Sequence, residues 1–436
     1  MKTNPETQID GYKVDHRRQY PKGTKKIVSN LTARSTRRPN TKKVVFAGLQ
    51  YFVQEYLVNQ WQKEFFDKPI EEILTRFNRR INNYLGPNSV GDQHIRDLHE
   101  LGHLPIMIVA LPEGTEYPIG VPCMMIWNTK DEFFWVTNYL ETILSTSIWG
   151  MCTSATTAHQ YKKLLVKFAM ETVGNTDFVQ WQGHDFSFRG MFGMEAACMS
   201  GASHLFSFTG TDTIPAIDFL EQYYGANCEK ELIGGSVAAT EHSVACTTIL
   251  NFVEKIRIEN AGTIHQVIIE DDLMNLADIE YVKHLITEIY PTGIVSIVSD
   301  SFDYWNTITK TSLALKEAIL NRDGKVVFRP DTGDPVKVVC GYKSVRLEKD
   351  WDNEDMVIAL KLQAEVVEVE GKYYLIIPSD KLGEGRYELG DEITQNEVKG
   401  SIECLWEVFG GTITEKGYKL LDSHVGLIYG DSITLD

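Results

Sequence analysis

The chain has 436 residues, 43% of them apolar and 11% aromatic, with 33 Gly and 14 Pro. That length suits two or three domains of ~100–200 residues and excludes a disulfide-stapled or metal-nucleated miniature, while the composition excludes a disordered or low-complexity chain. A formal net charge of −17 argues against a general polyanion binder, so no nucleic-acid partner is expected.

Along the chain, the charge is unevenly spread. From His16 to Lys43 ten Lys and Arg occur with no Asp or Glu, a local +10 that leaves −27 for the remainder. Such a run alone reads as a solvated basic loop, with a local anion site as the alternative. The N-terminus lacks the apolar core of a signal peptide, and the longest apolar runs, such as Leu104 to Leu111, are far short of a membrane span. Seven scattered cysteines, an odd number without a C-x-x-C pair, suit a reducing compartment. A cytoplasmic chain with no membrane partner is expected.

The first ~150 residues read as mixed helix and strand. Ile70, Ile73, Leu74, Phe77, Ile81 and Leu85 recur at helical spacing between Pro69 and Gly86. Leu104 to Ala110 and Val121 to Trp127 read as buried strands, and a helix is expected from about Asn138 through Met170.

From about residue 178, short strand-like runs end in polar residues and helical patterns follow. Phe178 to Gln182 leads to His184 and Asp185, Leu205 to Phe208 to Asp212, and Val267 to Ile269 to Glu270. Val295 to Val298 leads to Asp300, Val326 to Phe328 to Arg329 and Asp331, and Val425 to Tyr429 to Asp431. Parallel strands alternating with helices bring all their carboxyl ends to one face, where these side chains would form an active-site mouth. A single Asp after a strand is more often a helix N-cap, but caps do not explain an Arg and a His among the endings. The predicted fold is therefore α/β: a mixed α/β domain over 1–150, then a (β/α) barrel-like catalytic domain over 151–436. The rhythm breaks between Val336 and Glu415, where Lys372 to Ile377 and Arg386 to Val398 predict a β-rich insertion at about 341–400.

The segments His184-Asp185-Phe186-Ser187-Phe188-Arg189-Gly190, Gly210-Thr211-Asp212-Thr213, Ser236 to Ser243, Val298-Ser299-Asp300-Ser301-Phe302-Asp303 and Arg329-Pro330-Asp331-Thr332-Gly333 together resemble the nicotinamide phosphoribosyltransferase family. Asp10 to Val14, Gln19-Tyr20-Pro21, Gly102-His103-Leu104-Pro105, Lys416 to Leu421 and Gly430-Asp431 extend the resemblance over most of 10–335 and 416–436.

The resemblance implies transfer of phosphoribose from phosphoribosyl pyrophosphate to nicotinamide in NAD salvage, by a homodimer with shared active sites. It implies that Phe186 and the partner copy's Tyr12 stack on the pyridine ring, and that Asp212 accepts from the carboxamide, favouring amide over acid. Arg189 and Arg329 would hold phosphate or carboxamide oxygen, and Arg34 the pyrophosphate. Asp300 and Asp331 would hold ribose hydroxyls and Mg²⁺, with Gly430 and Asp431 reaching the ribose. His242 would be phosphorylated by ATP, with Glu241 orienting its imidazole. A nicotinate phosphoribosyltransferase and an inactive, dimer-forming remnant are the alternatives. The remnant is considered because the family's glycine-rich phosphate loop beyond Gly430-Asp431 is not found before Asp436, so a truncated or split chain is expected.

Overall fold

The structure is a computed structural model that describes residues 4–38, 40–260, 270–379 and 385–430. The chain divides into two compact units, Met1–Ser236 and Val237–Asp436. Residue 150, the expected boundary, lies inside a continuous 37-residue helix.

In the first unit, β1 (Val28–Thr32) is followed by helices α1 (Ile70–Leu85) and α2 (Gln93–Leu101), then by strands β2 (Ile106–Ala110) and β3 (Pro122–Asn128). β3 lies between β1 and β2, and both pairings are antiparallel. The apolar stripe predicted for α1 is observed: Ile73, Leu74, Phe77 and Ile81 are buried against Trp61, Phe65 and Leu98. Glu71 and Glu72 occupy its first turn, where carboxylates suit the helix dipole, and Gly86 ends it at φ 101°. Next comes α3 (Val136–Thr172), about 55 Å long at 1.5 Å per residue. Two very short parallel strands, β4 (His184–Asp185) and β5 (Gly210–Thr211), flank α4 (Gly193–His204), and α5 (Ile214–Tyr224) follows β5.

In the second unit, β6 (Ala238–Ala239) leads into α6 (His242–Asn260), α7 (Glu270–His284), β7 (Thr292–Val298) and β8 (Asp323–Arg329). The insertion then supplies β9 (Ser344–Arg346), α8 (Asn353–Lys361), β10 (Val366–Val369), β11 (Lys372–Pro378) and β12 (Tyr387–Ile393). Helix α9 (Ser401–Phe409) and strand β13 (Val425–Leu427) complete the unit's main elements. Strands β13-β8-β7-β6 form an all-parallel sheet in that order. Val295, Ile297, Val326 and Phe328 are fully buried in it, as expected where helices cover a parallel sheet. The insertion is a four-stranded sheet in the order β9-β10-β11-β12 with its own small core around Met356 and Val367.

Three predicted strands need correction. Phe178 to Gln182 contains a short 3₁₀ turn, Val179–Trp181, and the strand starts later, at His184. Leu205 to Phe208 is the turn after α4, and the extended pair is Gly210–Thr211. In the insertion, the run predicted over Arg386 to Val398 ends its strand at Ile393, where Thr394 opens a short helix with a capping box. The strand predicted at Val267 to Ile269 lies outside the described residues. Among the described residues no helix is long and apolar enough to cross a membrane.

Arg322, 7% exposed, clamps the turn that feeds β7. Its guanidinium donates to the carbonyls of Ile286 (3.3 Å), Gly293 (2.7 Å), Thr292 (3.2 Å) and Tyr290. Of these acceptor residues only Ile286 is fully buried, but each hydrogen bond to a charged donor is worth about 1.5–3 kcal/mol. Arg322→Ala should therefore lower the unfolding free energy by about 3 kcal/mol or more in urea titration, and a loss below about 1 kcal/mol would show that water replaces the clamp. Gly324 beside it has φ 146°, and a Cβ there would lie 1.9 Å from the Gly293 carbonyl oxygen.

Candidate active site

In the first unit the carboxyl ends of β4 and β5 carry a polar cluster. Asp185, 6% exposed, accepts from the Ser187 amide (3.1 Å) and hydroxyl, and its other oxygen accepts from Thr211 Oγ1 at 2.8 Å. Its carbonyl accepts from the Asp212 amide at 2.9 Å, so this residue ties both strand ends together. Phe186 is thereby held just beyond β4, and Asp212 just beyond β5. The Asp212 carboxylate receives two donors on Oδ1, His184 Nε2 at 3.0 Å and Ser236 Oγ at 2.5 Å. The His184 ring also lies 5.0 Å from that of Phe186. A Cβ at Gly210 would come within 2.6 Å of His184 Nδ1, so the imidazole's seat requires glycine on the neighbouring strand.

From sequence, His184 and Asp185 are expected at the active-site mouth but without individual roles, and Ser236 only within a matched segment. A signal was present for the first two, since they directly precede Phe186, but their partners Asp212 and Thr211 lie 28 and 26 residues on.

In the second unit, Thr240, His242, Asp300, Arg329, Asp331 and Gly430 gather at the carboxyl ends of the parallel strands. Asp300, whose side chain is 4% exposed, accepts from His242 Nε2 (3.0 Å) on one oxygen, and from the Asp331 amide (2.8 Å) and Thr332 Oγ1 (2.9 Å) on the other. His242 is 44% exposed, with Nδ1 at 3.9 Å from Asp331 Oδ2. Here the expected role of Glu241 is corrected: Glu241 accepts from the Ser243 hydroxyl, and Asp300 orients the imidazole. Arg329 donates through Nη2 to the Thr240 carbonyl at 2.6 Å, which aligns the β8 end with the segment after β6. A Cβ on Gly430 would stand 3.0 Å from Asp331 Oδ1, so the backbone passes directly beside that carboxylate. The Tyr429 hydroxyl lies 2.9 and 2.7 Å from the carbonyls of Thr332 and Gly333.

Of the remaining predicted residues, Arg189 adjoins the first cluster, its amide donating to the Phe186 carbonyl at 2.9 Å. Tyr12 is 67% exposed, and among the described residues its ring neighbour is His16 at 5.4 Å. Arg34, just past β1, and Arg189, ending a 3₁₀ turn after Phe186, are both exposed. Asp431 lies outside the described residues.

Residues 5–108 match the family model for the nicotinamide phosphoribosyltransferase N-terminal domain. The nicotinamide phosphoribosyltransferase of Acinetobacter baylyi is 42% identical over the whole chain, which spans 74% of that relative. The Mycoplasma pneumoniae protein of the same name is 27% identical over 98% of the chain and 78% of its own length. Among solved structures, human nicotinic acid phosphoribosyltransferase aligns over 86% of this chain and 76% of its own, with a TM-score of 0.43 and 16% identity. Residues 181–436, which hold Phe186, Asp212, His242, Asp300, Arg329 and Asp331, match the nicotinate phosphoribosyltransferase (NAPRTase) family model, and the chain belongs to that family.

Proposed function

We propose that this chain transfers phosphoribose from phosphoribosyl pyrophosphate to nicotinamide, giving nicotinamide mononucleotide and pyrophosphate. The observation that carries the reading is the 42% identity, across the whole chain, to a nicotinamide phosphoribosyltransferase. The chemistry of the strand ends agrees with it. Phe186 offers a face for a pyridine ring, and Asp212 offers an acceptor to a carboxamide N–H₂. A nicotinate carboxylate in the same place would meet like charge, which favours the amide over the acid named in the family's title.

In the reaction the pyridine nitrogen forms a bond to ribose C1 as the C1–O bond to pyrophosphate breaks, through an oxocarbenium-like state that needs no proton transfer. The protein's part is orientation and charge. Arg329, Arg189 and Arg34 supply guanidinium groups suited to phosphate oxygens, and Asp331 and Gly430 line the place for ribose hydroxyls. Mg²⁺, bound mainly through pyrophosphate oxygens, would offset charge on the leaving group. Asp331 is the more open of the two proposed carboxylates, since both Asp300 oxygens already accept hydrogen bonds.

ATP coupling through a phosphorylated His242 belongs to this reading, as does a homodimer in which the exposed Tyr12 serves a partner copy. Its seven cysteines are all unpaired, which suits the cytoplasm. The test is product formation from nicotinamide and from nicotinate by the purified protein with Mg²⁺ and phosphoribosyl pyrophosphate. Nicotinamide should be preferred roughly 100-fold or more in kcat/KM. Product from nicotinate alone would overturn the assignment.

A further inference from the structure

The first turn of α2 borders a separate cavity of about 190 Å³ in the first unit, lined by Arg17, His94, Asp97, Glu132, Phe133 and Trp135 among others. It has room for roughly six waters at ~30 Å³ each, more than a single bridging water fills. His94 is 5% exposed, yet among the described residues neither of its ring nitrogens has a hydrogen-bond partner, and Arg17 Nε is likewise buried and unmatched. Buried polar groups of this kind are costly unless something answers them. The rings of Trp135 and Phe77 meet His94 edge-on at 5.1 and 5.9 Å, but such contacts are second-order and leave the Arg17 N–H unanswered.

The surroundings point to an anionic group. Arg17 is fixed by Nη2 to the Val90 carbonyl at 3.0 Å, while Arg18, which bonds the Ser89 carbonyl, is already paired with Asp15 through two 2.6 Å contacts, so Arg17 is the cation left for a ligand at the helix start. Asp92, the N-cap residue, makes no side-chain cap; its carboxylate instead accepts from Asn78 Nδ2 at 2.6 Å. The first-turn backbone N–H groups are thus left without a side-chain cap, although the Asp92 charge remains beside them. Burial, with Arg17 adding to it, pushes the His94 pKa down to about 3, so the ring is neutral and presents one donor and one acceptor.

The rim limits the charge. Asp97, held by Gln93 Nε2 at 2.7 Å, and Glu132 are exposed carboxylates at the opening and oppose any second negative charge. Phe133 and Trp135 add an apolar wall.

We infer that this cavity binds a small monocarboxylate, one oxygen accepting from Arg17 Nε–H and His94 N–H and the carbon body lying against Trp135. The remaining His94 nitrogen accepts from a water or from a hydroxyl of the ligand.

The full chain with ring-labelled histidine tests this by NMR, using acetate, benzoate, benzamide and inorganic phosphate as probes. Acetate and benzoate should shift the His94 imidazole signals saturably, while benzamide and phosphate should not. Arg17→Met should weaken benzoate binding roughly tenfold or more, as expected for a lost charge-assisted hydrogen bond. Should that variant misfold, Arg17→Lys keeps the charge, lacks the Nε–H and should also weaken binding. Unmoved His94 signals, equal response to benzamide, or binding of phosphate as tight as that of benzoate would each overturn the inference.

Discussion

Asp212→Asn is expected to lower kcat/KM for nicotinamide roughly 10–100-fold, the cost of one charge-assisted hydrogen bond, while raising that for nicotinate. The direction follows from what already holds the side chain. His184 Nε2 and Ser236 Oγ both bond to Oδ1, so an asparagine keeps its single carbonyl oxygen there. The asparagine carries no negative charge and adds an N–H donor in place of a carboxylate acceptor. Against a carboxamide N–H₂ that is donor facing donor; against a carboxylate it is donor facing acceptor, with the negative charge removed. The amide-to-acid ratio should therefore fall roughly 100-fold or more, in steady-state assays with both substrates. An unchanged ratio would show that Asp212 does not face the carboxamide.

The contacts that fix Asp212 also show what sequence reasoning could and could not reach. Long apolar periodicity was legible, as in α1, and so were the apolar central strands, Val295 to Val298 buried on both faces and Val326 to Phe328 buried on one, because burial leaves a direct mark on composition. The strands that present Phe186 and Asp212 left no such mark. They are two residues long and contain His184, Asp185, Gly210 and Thr211, so neighbouring apolar runs at Phe178 and Leu205 drew the strand assignments away from them. A buried Asp185 is tolerated only because Ser187 and Thr211 satisfy it, and that pairing spans 26 residues.

Adjacency in sequence misled in the same way at His242. Glu241 is its chain neighbour, yet the orienting carboxylate comes from Asp300, 58 residues on, which parallel pairing of β6 with β7 brings alongside. His94 gave no signal at all: one histidine in an amphipathic helix is an ordinary core residue, and only the missing partners set it apart.

Asp300 and His242 should separate sharply under mutation, because one holds the strand ends together and the other is proposed only to couple transfer to ATP. His242→Ala leaves Asp300 bonded to the Asp331 amide and to Thr332, so the β8 end keeps its shape. Transfer without ATP should then change less than about tenfold, while stimulation by ATP disappears. Asp300→Ala removes the acceptor for three donors at a position with a 4% exposed side chain. The Asp331 amide, the Thr332 hydroxyl and the imidazole all lose their common anchor, and a displacement of about 1 Å at reacting groups can cost on the order of 100-fold. Asp300→Ala should thus lower kcat/KM roughly 100-fold or more with and without ATP, whereas Asp300→Asn, which keeps one acceptor, should fall between. If His242→Ala lowers ATP-free transfer as far as Asp300→Ala does, the histidine acts in the transfer step itself, and the coupling role proposed for it is wrong.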